Sequence, residues 1–186
     1  MRVLIVDDES LIRMDLRDII ESCGHEVVAE GTNGVEALAL CKKHKPDIIL
    51  MDVKMPELDG IEAARQIGFH HEAPVVLLTS YSQQDLIDKA RDSGVYGYLI
   101  KPVREEQLVP TLEMALGRYK SDAQLREKMA ELEQSLEDRK IIQKGTGILM
   151  ELYSISEVEA YNRIRTLSMN KPVSYTHLRA HETGAY

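Results

Sequence analysis

The sequence predicts an α/β fold: a doubly wound parallel sheet of five strands in the order 2-1-3-4-5, followed by a long helix and a small all-α module. Three observations predict it. Five short apolar runs, at residues 2–6, 26–30, 47–51, 74–79 and 97–100, punctuate the first two thirds of the chain. Between them apolar residues recur at three- and four-residue intervals, as in Leu11, Ile12, Leu16, Ile19 and Ile20, then Val35, Leu38 and Cys41, which marks amphipathic crossover helices. Beyond Pro102 no further strand signal occurs.

Several of the strand runs are apolar without alternation, the pattern of a strand covered on both faces. Repeated strand-helix alternation then implies parallel pairing with right-handed crossovers. Local punctuation sets the boundaries. Ser10 is placed to cap the first helix, Asn33-Gly34 opens the second, Pro46 precedes the third strand, and Ser82 is placed to cap a helix from Gln83. A further helix begins near Glu105 and runs past Gly117, with Pro110 in its first turns, where proline costs less than in a helix interior.

Residues 118–140 are rich in Lys, Glu, Gln and Leu, and Leu125, Met129, Leu132 and Leu136 form a narrow apolar seam. Two readings stand: a connecting helix that pairs as a coiled coil in a dimer, and a helix resting its seam on neighbours in the same chain. Residues 139–153 and 156–170 read as two helices joined at Ser154-Ile155, and Ser156 with Glu159 makes a capping-box sequence. Residues 172–186 carry no period and read as a disordered or non-native tail. His177 and His181, four apart, share a helical spacing but have no third ligand, so an accidental pair is the reading.

Composition narrows the function. The first residues reach two carboxylates after one short apolar run, so neither a secretory signal nor a membrane span is predicted, and a cytoplasmic location is expected. Cys23 and Cys41 read as free thiols in that setting. The formal charge of −8 argues against wholesale coating of nucleic acid, yet it is uneven. Residues 1–117 hold 12 Lys and Arg against 21 Asp and Glu, a net of −9, whereas residues 139–171 hold 6 against 3, a net of +3. Any polyanion contact therefore belongs to the C-terminal part.

The chemistry-bearing residues share one location. Asp7-Asp8 follow the first strand, Asp52 the third, Thr79 ends the fourth and Lys101 follows the fifth, all at strand C-termini. Ligands bind at that edge of an open parallel sheet, where the strand order reverses. Three carboxylates crowded together repel one another unless a cation neutralises them, and Mg2+, which takes oxygen ligands, suits them. One carboxylate can then attack a phosphoryl group to form an acyl phosphate, with Lys101 and Thr79 spreading the charge on its oxygens. Taken singly, an acidic pair after a strand is a solvated turn and a Lys-Pro a loop; their joint placement makes the site.

Val6-Asp7-Asp8-Glu9, the run Leu50-Met51-Asp52-Val53-Lys54-Met55-Pro56-Glu57-Leu58-Asp59-Gly60, Leu78-Thr79-Ser80 and Lys101-Pro102 resemble the receiver family of response regulators, over residues 1–117. The resemblance implies a flavodoxin-like fold and phosphorylation of Asp52 by a sensor histidine kinase. It implies Mg2+ bound directly by Asp8, Asp52 and the Lys54 carbonyl, with Asp7 acting through water. It further implies a cis Lys101-Pro102 bond and a switch in which Thr79 moves to the phosphoryl group and Tyr98 turns inward. The surface of the fourth helix, fifth strand and fifth helix is then the expected dimer contact. A phosphoacceptor of this kind is a signalling switch rather than an enzyme acting on a separate substrate.

Residues 139–171 resemble the ANTAR RNA-binding module of antitermination regulators, through Arg139-Lys140-Ile141-Ile142-Gln143-Lys144, Gly147-Ile148-Leu149-Met150, Ile155-Ser156-Glu157, Glu159-Ala160-Tyr161 and Ile164-Arg165 through Leu167-Ser168-Met169-Asn170. With the receiver and the connecting coil of 118–138, the chain is most similar to the ethanolamine-utilisation antiterminators. The resemblance implies homodimerisation on phosphorylation and binding of RNA hairpins in a leader transcript, with Arg139, Lys140, Lys144, Arg163 and Arg165 as candidate RNA contacts. The same cations also read as the solvated faces of two helices, and Tyr161 as core. The sequence departs from the family twice: Gly145-Thr146-Gly147 stands where an Ala-Lys-Gly triplet is usual, and the segment after Asn170 replaces a third helix, leaving Ile148, Leu149, Leu152, Ile164 and Leu167 uncovered. A truncated or scarred C-terminus is the expectation. A DNA-binding regulator, a protein-interaction or phosphorelay switch and an aspartyl-phosphate hydrolase remain the rival readings.

Overall fold

The computed structural model describes residues 1–70, 72–80 and 94–170. It forms strands β1 (Arg2–Val6), β2 (Glu26–Gly31), β3 (Ile48–Asp52), β4 (Val75–Thr79) and β5 (Val95–Ile100), with helices α1 (Ser10–Ser22), α2 (Gly34–His44), α3 (Gly60–Phe69), α4 (Glu105–Tyr153) and α5 (Glu157–Asn170). The strands make one sheet in the order β2-β1-β3-β4-β5, and every neighbouring pair is parallel. The doubly wound architecture read from the sequence is thus the one observed. The helix expected from Gln83, the histidine pair and the tail at 172–186 lie outside the described residues.

Period-two alternation explains why the central runs show no polar face. Val3 and Ile5 of β1, Ile48 and Leu50 of β3, and Val76 and Leu78 of β4 meet Leu16 and Ile20 of α1 and Leu108 and Leu112 of α4. The intervening Leu4, Val6, Ile49, Met51, Val75 and Leu77 meet Ala37 and Cys41 of α2 and Ala63, Ala64 and Ile67 of α3. A strand with helices on both faces must be apolar at every position, and β3 and β4 are buried throughout.

The helix starts are individually explained, with one correction. Asn33 Oδ1 accepts the Glu36 N–H at 2.8 Å to cap α2, and Asp59 Oδ1 accepts that of Glu62 at 2.9 Å to cap α3. Ser10 is not a cap: Glu9 holds that position, with no side-chain cap bond. Asp7 Oδ1 takes the Glu9 N–H at 3.0 Å, which fixes the approach to the helix, and Ser10 is its first residue.

Two compact units divide the chain, Met1–Gln124 and Leu125–Tyr186, and the division falls inside α4. The segments read as helices at 118–140 and 139–153 form one continuous helix with the segment from Glu105, and Pro110 lies near its start. In the second unit Leu125, Met129, Leu132 and Leu136 are 53–65 % exposed, so the described residues of that unit do not cover the seam. Thr146 and Ala160 are buried, and a Cβ at Gly145 would stand 3.2 Å from Ile164 Cδ1. The glycine in this departure from the family triplet therefore lies at a close approach of α4 and α5. Ser156 Oγ accepts the Glu159 N–H at 3.3 Å, but the Glu159 carboxylate accepts from Arg163 at 2.9 Å, so the capping box forms in one direction only.

Candidate functional site at the strand C-termini

Asp7 continues β1 by one residue, its N–H bonded to the Gly31 carbonyl at 3.1 Å. Its carboxylate is buried: Oδ1 takes the Glu9 N–H, and Oδ2 takes the Lys101 ammonium at 2.7 Å. Asp52 closes β3 with 7 % of its surface exposed; Oδ2 accepts the Lys54 N–H at 2.8 Å and Oδ1 lies 2.6 Å from Lys101 Nζ. One ammonium therefore joins two carboxylates that are 45 residues apart in sequence.

The surrounding backbone fixes this meeting point. Lys101 donates its backbone N–H to the Thr79 carbonyl at 2.9 Å, tying the lysine to the end of β4, and the Lys101-Pro102 bond is cis. Thr79 is buried, with its hydroxyl donating to the Ser80 carbonyl at 3.1 Å. Across the sheet Asp52 pairs with Leu78, which places Thr79 one residue beyond it at the same rim. Gly60 donates to the Val53 carbonyl at 2.9 Å, and a Cβ there would lie 2.0 Å from the Asp52 carbonyl oxygen. Only glycine lets α3 start so close to the acidic strand end.

Lys101 joins two of the three expected carboxylates, those of Asp7 and Asp52; Asp7 is buried, whereas Asp8, the next residue, is exposed. Among the described residues no three His, Cys, Asp or Glu side chains form a ready metal cluster. The donors still fit a hard cation: all are oxygens, Asp8 is open to solvent, and Asp7, with both oxygens engaged, suits an indirect role.

Burial holds the Asp52 carboxyl above its ordinary range; Lys101 pulls it back, and the charge of Asp7 adds to the rise. Burial works against the Lys101 ammonium, yet Asp52 and Asp7 together keep it above its usual value. An electron-rich carboxylate beside a fixed cation is thus prepared for a phosphoryl group, which needs both a nucleophile and positive charge near its oxygens. Tyr98 on β5 is 45 % exposed.

The described sheet rim also contains residues that the sequence reading passed over. Arg13 of α1 donates Nη1 to the Asp7 carbonyl at 2.7 Å and Nε to Glu30 at 3.1 Å. The only advance signal was Arg13 and Arg17 spaced four apart on one helix, with Glu30 in the next strand.

In the second unit Arg139, Lys140, Lys144, Arg163 and Arg165 are not buried. Several have partners: Lys140 lies 3.6 Å from Glu137, and Arg163 sits 5.9 Å over the Tyr153 ring in addition to its bond with Glu159. Tyr161 is 48 % exposed and borders a groove with Ile142 and Arg139, so it is not core. No helix among the described residues is long and apolar enough to cross a membrane.

Comparison with known proteins agrees with this geometry. Residues 3–113 match the response regulator receiver domain and residues 130–178 the ANTAR domain. The chain is 42 % identical over 170 residues to the transcriptional regulatory protein PdtaR of Mycobacterium tuberculosis, covering 91 % of this chain and 83 % of that protein. It is 40 % identical over 112 residues to the chemotaxis protein CheY of Thermotoga maritima, covering 60 % of this chain and 93 % of that one. Among solved structures, the signal receiver domain of a modulated diguanylate cyclase from Desulfovibrio desulfuricans G20 superposes with a TM-score of 0.60 at 34 % identity, over 64 % of this chain and 96 % of that chain. The receiver domain of NarL from Mycobacterium tuberculosis gives 0.57 at 28 % identity, over 64 % and 95 %. The chain belongs to the two-component response regulators, joining an N-terminal receiver domain to a C-terminal ANTAR domain.

Proposed function

We propose that Asp52 accepts a phosphoryl group from a sensor histidine kinase and that the modified chain acts, as a homodimer in the cytoplasm, in transcription antitermination by binding RNA hairpins of a leader transcript. The observation that carries the reading is the Lys101 ammonium poised 2.6 Å from Asp52 and 2.7 Å from Asp7 at the sheet rim. Asp8, Asp52 and the Lys54 carbonyl would hold Mg2+, with Asp7 acting through water. When bound, the cation neutralises the carboxylates and the charge on the transferring group.

The remaining work falls to the chain's own residues. An Asp52 oxygen attacks phosphorus; the bond from phosphorus to the donor breaks, and an acyl phosphate forms. Lys101 stabilises the added charge, its cis peptide bond to Pro102 belonging to the same loop, and Thr79 turns its hydroxyl from the Ser80 carbonyl to a phosphoryl oxygen. The space Thr79 leaves admits the half-exposed Tyr98, which alters the surface around β5 and α4. The exposed seam from Leu125 to Leu136 supports pairing of two copies through α4. Pairing two modules raises effective concentration at tandem hairpins without a new contact. Arg139, Lys140, Lys144, Arg163 and Arg165 supply the phosphate contacts, and the half-exposed Tyr161 a face for an unpaired base.

The test is binding of the full chain to a two-hairpin RNA and to duplex DNA at several salt concentrations, with and without a beryllofluoride phosphoryl mimic. Preference for RNA, strengthened by the mimic together with a doubled sedimenting mass, is expected. Preference for DNA favours a DNA-binding regulator, and binding of neither favours a protein-interaction switch.

A further inference from the structure

Asp7 is gripped from two sides, by strand β2 and by helix α1. Its N–H bonds to the Gly31 carbonyl, and its own carbonyl accepts Arg13 Nη1 at 2.7 Å. Arg13 in turn is held by Glu30, the residue preceding Gly31, through Nε at 3.1 Å. Glu30 also takes two bonds from Arg17, one turn further along α1, the Nε bond being 2.7 Å. Arg13 is 16 % exposed, so its bonds are little screened by water. The Asp7 carbonyl belongs to the peptide that links Asp7 to Asp8. The Asp7 side chain is fixed by Glu9 and Lys101, whereas among the described residues no hydrogen bond or ion pair fixes the exposed Asp8 carboxylate. That peptide fixes the backbone from which the Asp8 side chain projects.

We infer that Arg13 is a positioning residue for the acidic rim: braced by Glu30, it fixes the Asp7-Asp8 peptide and so sets where Asp8 presents its carboxylate to a divalent cation. This rests on the reading of Asp8 and Asp52 as cation ligands. Arg17 shares the brace without touching the acidic loop, which separates a positioning effect from a loss of the α1–β2 ion pair. Residues that orient a ligand from behind typically govern metal affinity by about 10–100-fold.

The test is calorimetric titration of the full, unphosphorylated chain with Mg2+, paired with thermal unfolding of each variant without metal. Arg13→Met is expected to weaken Mg2+ binding about tenfold. Arg13→Lys, which keeps the charge but loses the two-pronged grip, is expected between Arg13→Met and the parent, and serves if Arg13→Met does not fold. Arg17→Met is expected to bind Mg2+ within about twofold of the parent while unfolding at a lower temperature. If the parent binds Mg2+ and Asp8→Asn abolishes it, but the Arg13 variants bind as the parent does, the positioning role falls and the site reading stands. Equal weakening by Arg17→Met overturns the positioning role as well. If the parent shows no Mg2+ binding sensitive to Asp8→Asn, the site reading falls and the inference with it.

Discussion

Strand β3 and the α4 segment from Leu125 to Leu136 are both lined with large apolar side chains, but β3 buries every residue while the segment leaves Leu125, Met129, Leu132 and Leu136 more than half exposed. The difference is one of coverage. β3 lies between β1 and β4 and is packed by helices on both faces, so its apolar surface is enclosed within the first unit. Among the described residues of the second unit the buried side chains are small, Thr146 and Ala160, beside Gly145; of the apolar residues expected to be uncovered, Ile148 and Leu152 are exposed, whereas Leu149 and Ile164 are partly buried. The first unit draws stability from a core, the second from local helix formation and from whatever covers its seam.

Core truncation probes that contrast with the largest effect. Leu50→Ala is expected to cost about 3 kcal/mol in denaturant unfolding, as buried leucines do. Leu132→Ala is expected within about 0.5 kcal/mol at protein concentrations where the chain is monomeric. Comparable losses at the two positions would erase the distinction.

Glycine replacement sharpens it at the next scale. Gly60→Ala drives a Cβ into the Asp52 carbonyl, and a loss of about 1–3 kcal/mol is expected from the forced shift of β3 or α3. At Gly147 a Cβ meets nothing within 4 Å, so Gly147→Ala is expected to stabilise the second unit by up to about 1 kcal/mol through helix propensity, read as increased helicity and a later melt.

The site itself runs against the stability of its unit. The Asp52 carboxyl is raised by burial, so its neutral form is the better tolerated one in the fold. Its favourable contribution is complete below the ordinary value of 3.8 and is lost as pH rises through the raised value. Asp52→Asn is therefore expected to unfold at a higher temperature than the parent at neutral pH, the gain shrinking as pH falls below the carboxylate range. Glu30 has the opposite sign: despite burial, Arg17 and Arg13 hold it below its ordinary value, so its contribution is present above 4.5 and lost on acidification.

The cysteines give the mildest contrast, within one unit. Burial pushes the Cys41 thiol up to about 12, with Glu72 adding to the rise, and the side chain is enclosed between α2 and the sheet. Alkylation of the native protein at neutral pH, followed by mass spectrometry, is expected to modify the partly exposed Cys23 and spare Cys41 until unfolding.

Much of this was legible in the sequence because it follows from periodicity. Uninterrupted apolar strands report two-sided coverage, and acids, a hydroxyl and a lysine placed directly after such strands must share a rim. What had no period was missed. The Arg13–Glu30 brace spans 17 residues through long side chains, and the outward turn of Asp8 depends on which of two adjacent acids continues the strand. Ser10 reads as a cap because serine is a common one, but the helix starts one residue sooner, with Glu9 at the cap position and Ser10 inside the first turn. The seam of α4 was visible and favoured a dimer-capable helix, and the described residues of the second unit leave it open.

The claim on which the rest depends is that Asp52 is the phosphoacceptor. The direct measurement incubates the full chain with Mg2+ and phosphoramidate, reduces the product with borohydride and maps the peptides by mass spectrometry. Reduction of an acyl phosphate leaves an alcohol, so conversion of residue 52 to homoserine is expected, absent without phosphoramidate and in Asp52→Asn. No conversion at residue 52, or conversion at Asp7 or Asp8 instead, would contradict it.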